Sequence, residues 1–147
     1  MFGDLRELYQ EVILDHGRKP RNHRQPEDSN REANGDNPIC GDRITVYLKI
    51  GDDGTIEDVA FVGRGCAISQ ASASMMTEIV KGRSEAEAKT LFENFHQMCT
   101  DETYDAEAHP EADPEAMERL QVMSGVREFP MRVKCATLAW HTMKAAM

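Results

Sequence analysis

The cysteines are the residues of this chain whose chemistry stands out, and there are four of them: Cys40, Cys66, Cys99 and Cys135. Their spacing is not the local CxxC…CxxC pattern of a zinc finger, so spacing alone does not define a site. Asp42 follows Cys40 by two residues in the stretch NPICGD, residues 37–42. Thiolates and carboxylates both bind zinc, so the first chemistry to consider is that of sulfur and a metal ion.

The predicted topology brings Cys40 and Cys66 together. Apolar residues alternate with polar ones over 44–50, which predicts a strand, and a second strand is predicted over 55–62 after the turn GDDG. The alternation is less regular around Asp58, where we expect a β-bulge. In a hairpin the start of one strand lies beside the end of the next, about 4.8 Å away. Cys40 precedes the first strand and Cys66 follows the second, so both thiols should meet at one edge of the sheet.

A third thiol and a carboxylate complete a candidate set of four metal ligands. Cys135 lies in the second turn of a helix that Pro130 is predicted to begin, at the border of an apolar stripe centred on Ala136, so it can face the rim of the core. With Asp42 it gives three thiolates and one carboxylate, which suits tetrahedral zinc. The alternative for each cysteine is a small buried apolar residue, and the alternative for Asp42 is the cap of a turn.

The other candidate ligands are weaker. Cys99 lies near the end of an amphipathic helix, where we expect it to pack as a buried residue. His96 shares its helix face at a spacing of three residues, but we favour packing over metal binding for this pair. His16 and His23 flank a loop and are expected to make hydrogen bonds, and His141 has no ligand cluster around it in the sequence.

Helices dominate the remainder of the predicted structure. The helical spacing of Leu5, Leu8, Tyr9, Val12 and Ile13 predicts a first helix, ended by Gly17 and Pro20. Residues 17–42 are polar and are predicted to form a loop. Later helices are predicted over 69–82, over 84–98 with a Ser84–Glu87 capping box, over 113–125, and from Pro130 onward. Two early strands with late helices predict an α+β fold, a small antiparallel sheet with helices packed on it, and a third short strand that the pattern does not place.

Length and charge limit the function. The 147 residues predict a single domain over residues 1–147. The net charge is −9, and residues 85–128 alone hold 12 acidic residues against three basic ones. We therefore do not expect a nucleic acid partner, since phosphate binding needs an excess of Lys and Arg. The acidic segment reads as a solvated helical face, with docking of a basic partner as the alternative.

No apolar run is long enough to predict a membrane span. The N-terminus carries charges at Asp4, Arg6, Glu7 and Glu11, so it does not read as a signal peptide. We therefore expect a cytoplasmic protein, where cysteines stay reduced and more often serve as metal ligands or catalysts than as disulfide partners.

Four stretches, spread over nearly the whole chain, resemble the U-type iron–sulfur cluster biogenesis proteins, IscU and SufU. They are LYQEVILDHGRKPRNHR (8–24), NPICGD (37–42), GRGCAIS (63–69) and RVKCATLAW (132–140). Two features resemble the SufU branch. Lys134 stands where scaffold-type IscU proteins carry a histidine directly before the third cysteine, and an extra acidic helical segment separates Cys66 from Cys135.

The resemblance implies a zinc site made by Cys40, Asp42, Cys66 and Cys135. It also implies a sulfurtransferase that takes persulfide sulfur from a PLP-dependent cysteine desulfurase (SufS-like) and passes it to a SufBCD-type scaffold. Cys40 is the expected sulfur acceptor, because it lies on a Gly/Pro loop, and Arg132 is a candidate for positioning the persulfide.

Two other functions stay open from the sequence. The first is a scaffold for a labile [2Fe–2S] cluster held by the three cysteines and the aspartate. The second is a zinc-stabilised adaptor that regulates the desulfurase without carrying sulfur. Metal content and thiol reactivity separate the three functions.

Overall fold

The computed structural model describes residues 2–147, with side chains from Tyr9 onward. Within this range there are three strands and five α-helices, which confirms the predicted α+β class. In chain order they are α1 (Phe2–Arg18), β1 (Arg31–Asn37), β2 (Asp42–Ile50), β3 (Ile56–Arg64), α2 (Ala67–Val80), α3 (Glu85–Thr100), α4 (Pro114–Leu120) and α5 (Pro130–Ala146). Two 3₁₀ segments, Ala106–Ala108 and Gln121–Glu128, flank α4.

The sheet is antiparallel, with the strand order β1-β2-β3. The predicted hairpin is confirmed as β2 and β3, each extended by about two residues toward the cysteines. Its pairing shifts register between Lys49 and Ile50, opposite Asp58, so the predicted bulge is present. The end of the sheet that carries Asp42 also carries Arg64, two residues before Cys66. The two cysteine-bearing stretches therefore leave the sheet on the same side.

Strand β1 corrects the prediction that residues 17–42 form a loop. It pairs with β2 along its whole length, from Arg31 opposite Leu48 to Asn37 opposite Asp42. Its sequence, REANGDN, shows no apolar alternation, because β1 is an edge strand whose side chains are mostly solvated. Backbone hydrogen bonds to β2 define it, and these leave no signal in the side-chain pattern. This is the third strand that the sequence did not place.

Helix α5 lies across β1 and β2 and packs against α2 and α3. The predicted stripe is confirmed, since Ala136, Trp140 and Met143 are fully buried and Val133 is half-buried. The ring of Trp140 lies 5.0 Å from that of Phe95 on α3. A methyl group at Gly35 of β1 would overlap Thr142 and meet Leu138 at 3.1 Å, so the helix rests directly on this strand.

Helices α3 and α4 begin as predicted, but α4 ends early. The capping box of α3 is present: the Glu87 backbone N–H donates to Ser84 Oγ at 3.1 Å, and the Ser84 N–H donates to Glu87 Oε1 at 3.2 Å. Asp113 caps α4 ahead of Pro114. The predicted stop at Gly125 is wrong, because α4 ends at Leu120 and the chain tightens into the 3₁₀ segment that contains this glycine.

The end of α1 is fastened to α2 by hydrogen bonds. His16 Nδ1 lies 2.7 Å from Ser74 Oγ, and the Arg21 backbone N–H donates to the same oxygen at 2.8 Å. His23 Nε2 lies 3.4 Å from the carbonyl oxygen of Gly63. Hydrogen-bonding roles are therefore confirmed for both histidines. The predicted helix stop is also confirmed, because α1 ends at Arg18, while the side chains of Leu5 and Leu8 lie outside the described residues.

The acidic segment is solvated. None of the 12 carboxylate residues between 85 and 128 is buried, and nine of them are exposed. Some join ion pairs with the rest of the fold, such as Asp113 with Arg83 at 2.7 Å. Docking of a basic partner stays a prediction. None of the helices in residues 2–147 is long and apolar enough to cross a membrane.

Candidate metal centre

Cys40 lies in the short connection between β1 and β2. The last pair of the β1–β2 ladder, Asn37 with Asp42, closes this connection, and Gly41 turns the chain with a φ of +71°. The positive φ favours glycine at this position. Cys40 is half-buried. The structure thus holds a thiol at the tip of a tight turn whose two ends are fixed by the sheet.

Asp42 is the first residue of β2 and is fully buried. Its Oδ1 accepts a hydrogen bond from the Cys66 backbone N–H at 3.0 Å, so it links the start of β2 to the start of α2. The carboxylate lies so close to Gly65 that any side chain there would overlap Oδ1. Its other oxygen, Oδ2, is buried without a hydrogen-bond partner among the described residues.

Cys135 comes to the same place from α5. Its Sγ lies 3.4 Å from Cys40 Sγ, although the two residues are 95 positions apart in the sequence. The two thiols and a carboxylate oxygen of Asp42 all lie within 4.8 Å of one another. Cys135 is fully buried, as its position at the border of the apolar stripe allowed. Three of the four predicted ligands are therefore gathered in one cluster.

Cys66 adjoins the cluster without belonging to it. The residue is the N-cap of α2, between Gly65 and the helix as the sequence indicated, and its Sγ accepts the Ser69 N–H at 3.5 Å. It lines the same cavity as Cys40, and it is one of the neighbours that raise the pKa of the Cys135 thiol. The hairpin thus brings both cysteine stretches to one edge of the sheet, with Cys66 slightly withdrawn.

The donor atoms suit a metal ion. Tetrahedral zinc binds thiolate at about 2.3 Å, which places two thiolate sulfurs about 3.8 Å apart. The 3.4 Å between the two sulfurs is a few tenths of an ångström shorter, so a small movement of either side chain would accommodate the ion. A buried carboxylate oxygen without a hydrogen bond costs free energy unless a cation faces it, and Oδ2 of Asp42 is such an atom. These residues therefore fit a thiolate–carboxylate metal site.

Two electrostatic effects oppose each other at the cluster. Burial raises the pKa of the Cys135 thiol, and the neighbouring Cys40, Cys66 and Asp42 raise it further because they favour the neutral S–H form. A hydrogen bond to the Cys135 sulfur and the negative charge of Cys66 raise the pKa of Arg132. A positive charge therefore lies beside a deep thiol that burial favours in its neutral form.

An open cavity of about 500 Å³ borders the cluster, and Cys40 and Cys66 form part of its wall. Phe129 and Met131 line this cavity and are each about 60% exposed, and Ile39, next to Cys40 in the chain, is equally exposed. Sequence reasoning did not identify this apolar rim. The available signal was that these residues adjoin Cys40 and Cys135 without belonging to any helical stripe.

The remaining candidates lie elsewhere. Cys99 is fully buried in the core, and burial raises the pKa of its thiol to about 12, as suits a packing residue. The His96 ring lies 5.4 Å from the ring of His141 across α3 and α5. The two rings pack edge to face, a contact that the sequence did not indicate. Neither histidine belongs to a group of three candidate metal ligands within the described residues.

Comparison with known proteins shows the family of this chain. The model of the NifU-like N-terminal domain family matches residues 8–136. A Streptococcus pyogenes protein named iron–sulfur cluster assembly scaffold protein IscU is 39% identical over 97% of this chain and 84% of its own. The zinc-dependent sulfurtransferase SufU of Bacillus subtilis is 39% identical over 96% of this chain and 90% of its own.

A solved structure shares the fold along nearly the whole chain. It is the putative iron–sulfur cluster assembly scaffold protein for the SUF system from Fervidobacterium islandicum AW-1, with a TM-score of 0.79 and 34% identity. The match covers 92% of this chain and 93% of that one. On its sequence, its fold and its gathered cysteines, the chain belongs to the NifU-like N-terminal domain family, together with relatives named IscU and SufU.

Proposed function

We propose that this protein is a zinc-dependent sulfurtransferase that accepts persulfide sulfur from a PLP-dependent cysteine desulfurase of the SufS type. The observation that carries the proposal is the pair of sulfurs, Cys40 and Cys135, 3.4 Å apart beside the buried Asp42 carboxylate at the wall of an open cavity. The name of the Bacillus subtilis relative supports the same activity.

The metal ligands in this proposal are Cys40, Asp42, Cys66 and Cys135. Bound zinc supplies the positive charge that holds buried thiols in the thiolate form. Asp42 is fixed by the Cys66 backbone N–H, and Cys135 by the core around α5. Cys66 lines the same cavity as Cys40, and a shift of its side chain toward Cys135 would bring its sulfur into the set.

Cys40 is the proposed sulfur acceptor. Its thiolate attacks the terminal sulfur of the desulfurase persulfide, a new S–S bond forms on Cys40, and the donor's S–S bond breaks. The donor cysteine leaves as a thiolate, so no external oxidant or reductant is needed. Cys40 suits this role because it is half-buried at a turn tip beside the cavity, whereas Cys135 is fully buried.

Arg132 is proposed to hold the charged sulfur. Its guanidinium is exposed and interacts with Cys135, Cys66 and Cys40. A persulfide on Cys40 carries a negative charge at its terminal sulfur, and the guanidinium can donate hydrogen bonds to it. The exposed Phe129 and Met131 beside it offer apolar surface to the desulfurase.

The further setting of this activity belongs to the same proposal. Residues 1–147 act as one domain in the cytoplasm and pass sulfur to a SufBCD-type scaffold for iron–sulfur cluster assembly. The relatives named for iron–sulfur cluster assembly support this setting.

Native mass spectrometry of protein purified without oxygen tests the proposal. The expected result is one zinc ion per chain, and then a mass increase of one sulfur atom after incubation with desulfurase, PLP and cysteine. Cys40→Ser should abolish the sulfur uptake, whereas Cys99→Ser should retain it. Sulfur uptake that persists in Cys40→Ser would overturn the assignment of Cys40.

The same spectra decide between the alternatives. Bound iron and sulfide in place of zinc would indicate the [2Fe–2S] scaffold, the function named for the Streptococcus pyogenes relative. Lys134 argues against it, because it stands where scaffold-type IscU proteins carry a histidine. Zinc without any sulfur uptake would indicate an adaptor that only regulates the desulfurase.

A further inference from the structure

Asn37 is a buried polar residue beside the metal centre whose amide is not satisfied. It is the last residue of β1 and is only 5% exposed. Its Nδ2 is buried and has no hydrogen-bond partner among the described residues. A buried amide without a hydrogen bond is costly, so such a donor calls for an explanation.

The register of the sheet places Asn37 directly opposite Asp42. Residues that face each other in an antiparallel pair project to the same side of the sheet, with their Cβ atoms about 4.5–5.5 Å apart. That side faces α5, because a side chain at Gly35, two residues before Asn37, would run into Thr142. Asn37 and Asp42 therefore share the buried face on which Cys135 lies.

The two side chains are complementary. Asp42 Oδ1 is occupied by the Cys66 N–H, while Oδ2 is buried without a hydrogen bond among the described residues. Asn37 offers an N–H donor, and Asp42 offers a carboxylate oxygen with two lone pairs. One lone pair can face a cation, which leaves the other for a hydrogen bond.

We propose that Asn37 is a positioning residue for the metal centre, and that its side-chain amide donates a hydrogen bond to Asp42 Oδ2 when this carboxylate binds the metal. Hydrogen bonds from outside the ligand set orient a ligating carboxylate, and their loss typically weakens metal binding about 10- to 100-fold. The inference rests on the proposed zinc site and adds a residue that is not a ligand.

The test is Asn37→Leu, which keeps the size of the side chain and removes the donor. Zinc affinity, measured by competition with a chromogenic chelator, should fall about 10- to 100-fold. The melting temperature of the metal-free protein should not fall, because the substitution removes a buried donor that has no partner there. A purely structural role predicts the reverse, a lower melting temperature without metal and unchanged zinc affinity.

Asn94→Leu is the matched control. Asn94 is also buried, at 6% exposure, but its amide is satisfied: Nδ2 donates to the Thr90 carbonyl oxygen and Oδ1 accepts from the Tyr104 hydroxyl, both at 2.9 Å. This variant should melt at a lower temperature and bind zinc as the wild type does. Equal zinc affinity in wild type, Asn37→Leu and Asn94→Leu would overturn the inference.

Nuclear magnetic resonance of the wild type gives a second test that needs no variant to fold. On addition of zinc to the metal-free protein, the side-chain NH₂ resonances of Asn37 should shift, while those of Asn94 stay in place. Asn37 resonances that stay fixed while the Cys40 backbone amide shifts would overturn the inference and leave the zinc site intact. A wild type that takes up no zinc at all would overturn the proposed function as well.

Discussion

Cys99 and Cys135 are both fully buried thiols on long helices, and burial raises the pKa of each. Their neighbours differ. Cys99 lies in the apolar core, and the one charged group that acts on its pKa is Arg127. Cys135 faces a second thiol at 3.4 Å and a buried carboxylate, one oxygen of which has no hydrogen-bond partner in the described part of the chain. Burial alone therefore does not distinguish a packing cysteine from a candidate metal ligand. The chemical nature of the neighbouring side chains distinguishes them.

The regions of the fold around these two thiols differ in the same way. Cys99 lies on α3 among apolar residues of the core, whereas Cys135 meets polar partners from the β1–β2 turn and from the start of β2. Changes near Cys99 should alter stability without altering metal binding. Changes near Cys135 should alter metal binding, and with it the stability that a bound metal ion adds.

The largest expected effect is the loss of metal binding when serine replaces Cys135, compared with the same replacement at Cys99. Cys135→Ser removes a thiolate from the proposed ligand set, so zinc affinity should fall more than about 100-fold, beyond the loss typical for an outer hydrogen bond. Cys99→Ser should bind zinc as the wild type does. Metal analysis after dialysis against a weak chelator measures zinc retention in both variants. Equal zinc loss from the two would contradict the distinction between a ligand cysteine and a packing cysteine.

Replacing Cys99 should lower the stability of the fold, although it leaves zinc binding unchanged. A serine hydroxyl in its apolar site has no partner, so Cys99→Ser should lower the free energy of unfolding by about 1–3 kcal/mol. Urea denaturation of the metal-free proteins provides the measurement. A variant as stable as the wild type would show that the site of Cys99 is wetter than the structure indicates.

Alkaline pH should act on Cys99 in the folded protein. Because the pKa of its thiol is raised from about 9 to about 12, the neutral thiol stabilises the fold below pH 9, and this contribution is lost as the pH rises toward 12. The free energy of unfolding of the wild type should therefore fall relative to that of Cys99→Ala, by at most about 1.4 kcal/mol per pH unit. Parallel urea titrations between about pH 8 and pH 10 measure it, and a constant difference would contradict the raised pKa.

The smallest expected effect comes from the cap of the helix that carries Cys99. Ser84→Ala removes the acceptor of the Glu87 N–H, so it should cost about 1 kcal/mol of stability. Zinc stoichiometry should not change, because the cap belongs to the far end of α3 from Cys99. Thermal unfolding with and without zinc checks both parts, and a loss of bound zinc would link α3 to the metal centre.

Much of the candidate site is encoded locally and could be predicted. Alternation over 44–50 and 55–62 gives the hairpin, and the hairpin brings Cys40 and Cys66 to one edge. The position of Cys135 at the border of its stripe allowed it to face Cys40. The slight withdrawal of Cys66 depends on the hydrogen bond from Ser69 and on the local start of α2, which no spacing rule resolves.

The parts that could not be predicted depend on pairing between distant residues. Strand β1 has no apolar pattern of its own, since its pairing uses backbone groups that every sequence carries. That Asn37 lies opposite Asp42 could not be predicted, because it depends on the register of β1 against β2. His96 and His141 meet because α3 and α5 pack together, and the sequence of neither helix predicts that the two helices are neighbours.

The sequence distance between the turn and α5 has a consequence for chain entropy. A metal ion that joins the β1–β2 turn to Cys135 cross-links residues 95 positions apart, and closing a loop of about this size restricts the unfolded chain by about 4–5 kcal/mol in the chain-entropy model. Asp42 lies on the same hairpin as Cys40. In the proposed function Cys40 would leave the ion to collect sulfur, and Asp42 would then keep the loop closed, so the reactive sulfur could be freed without loss of the cross-link.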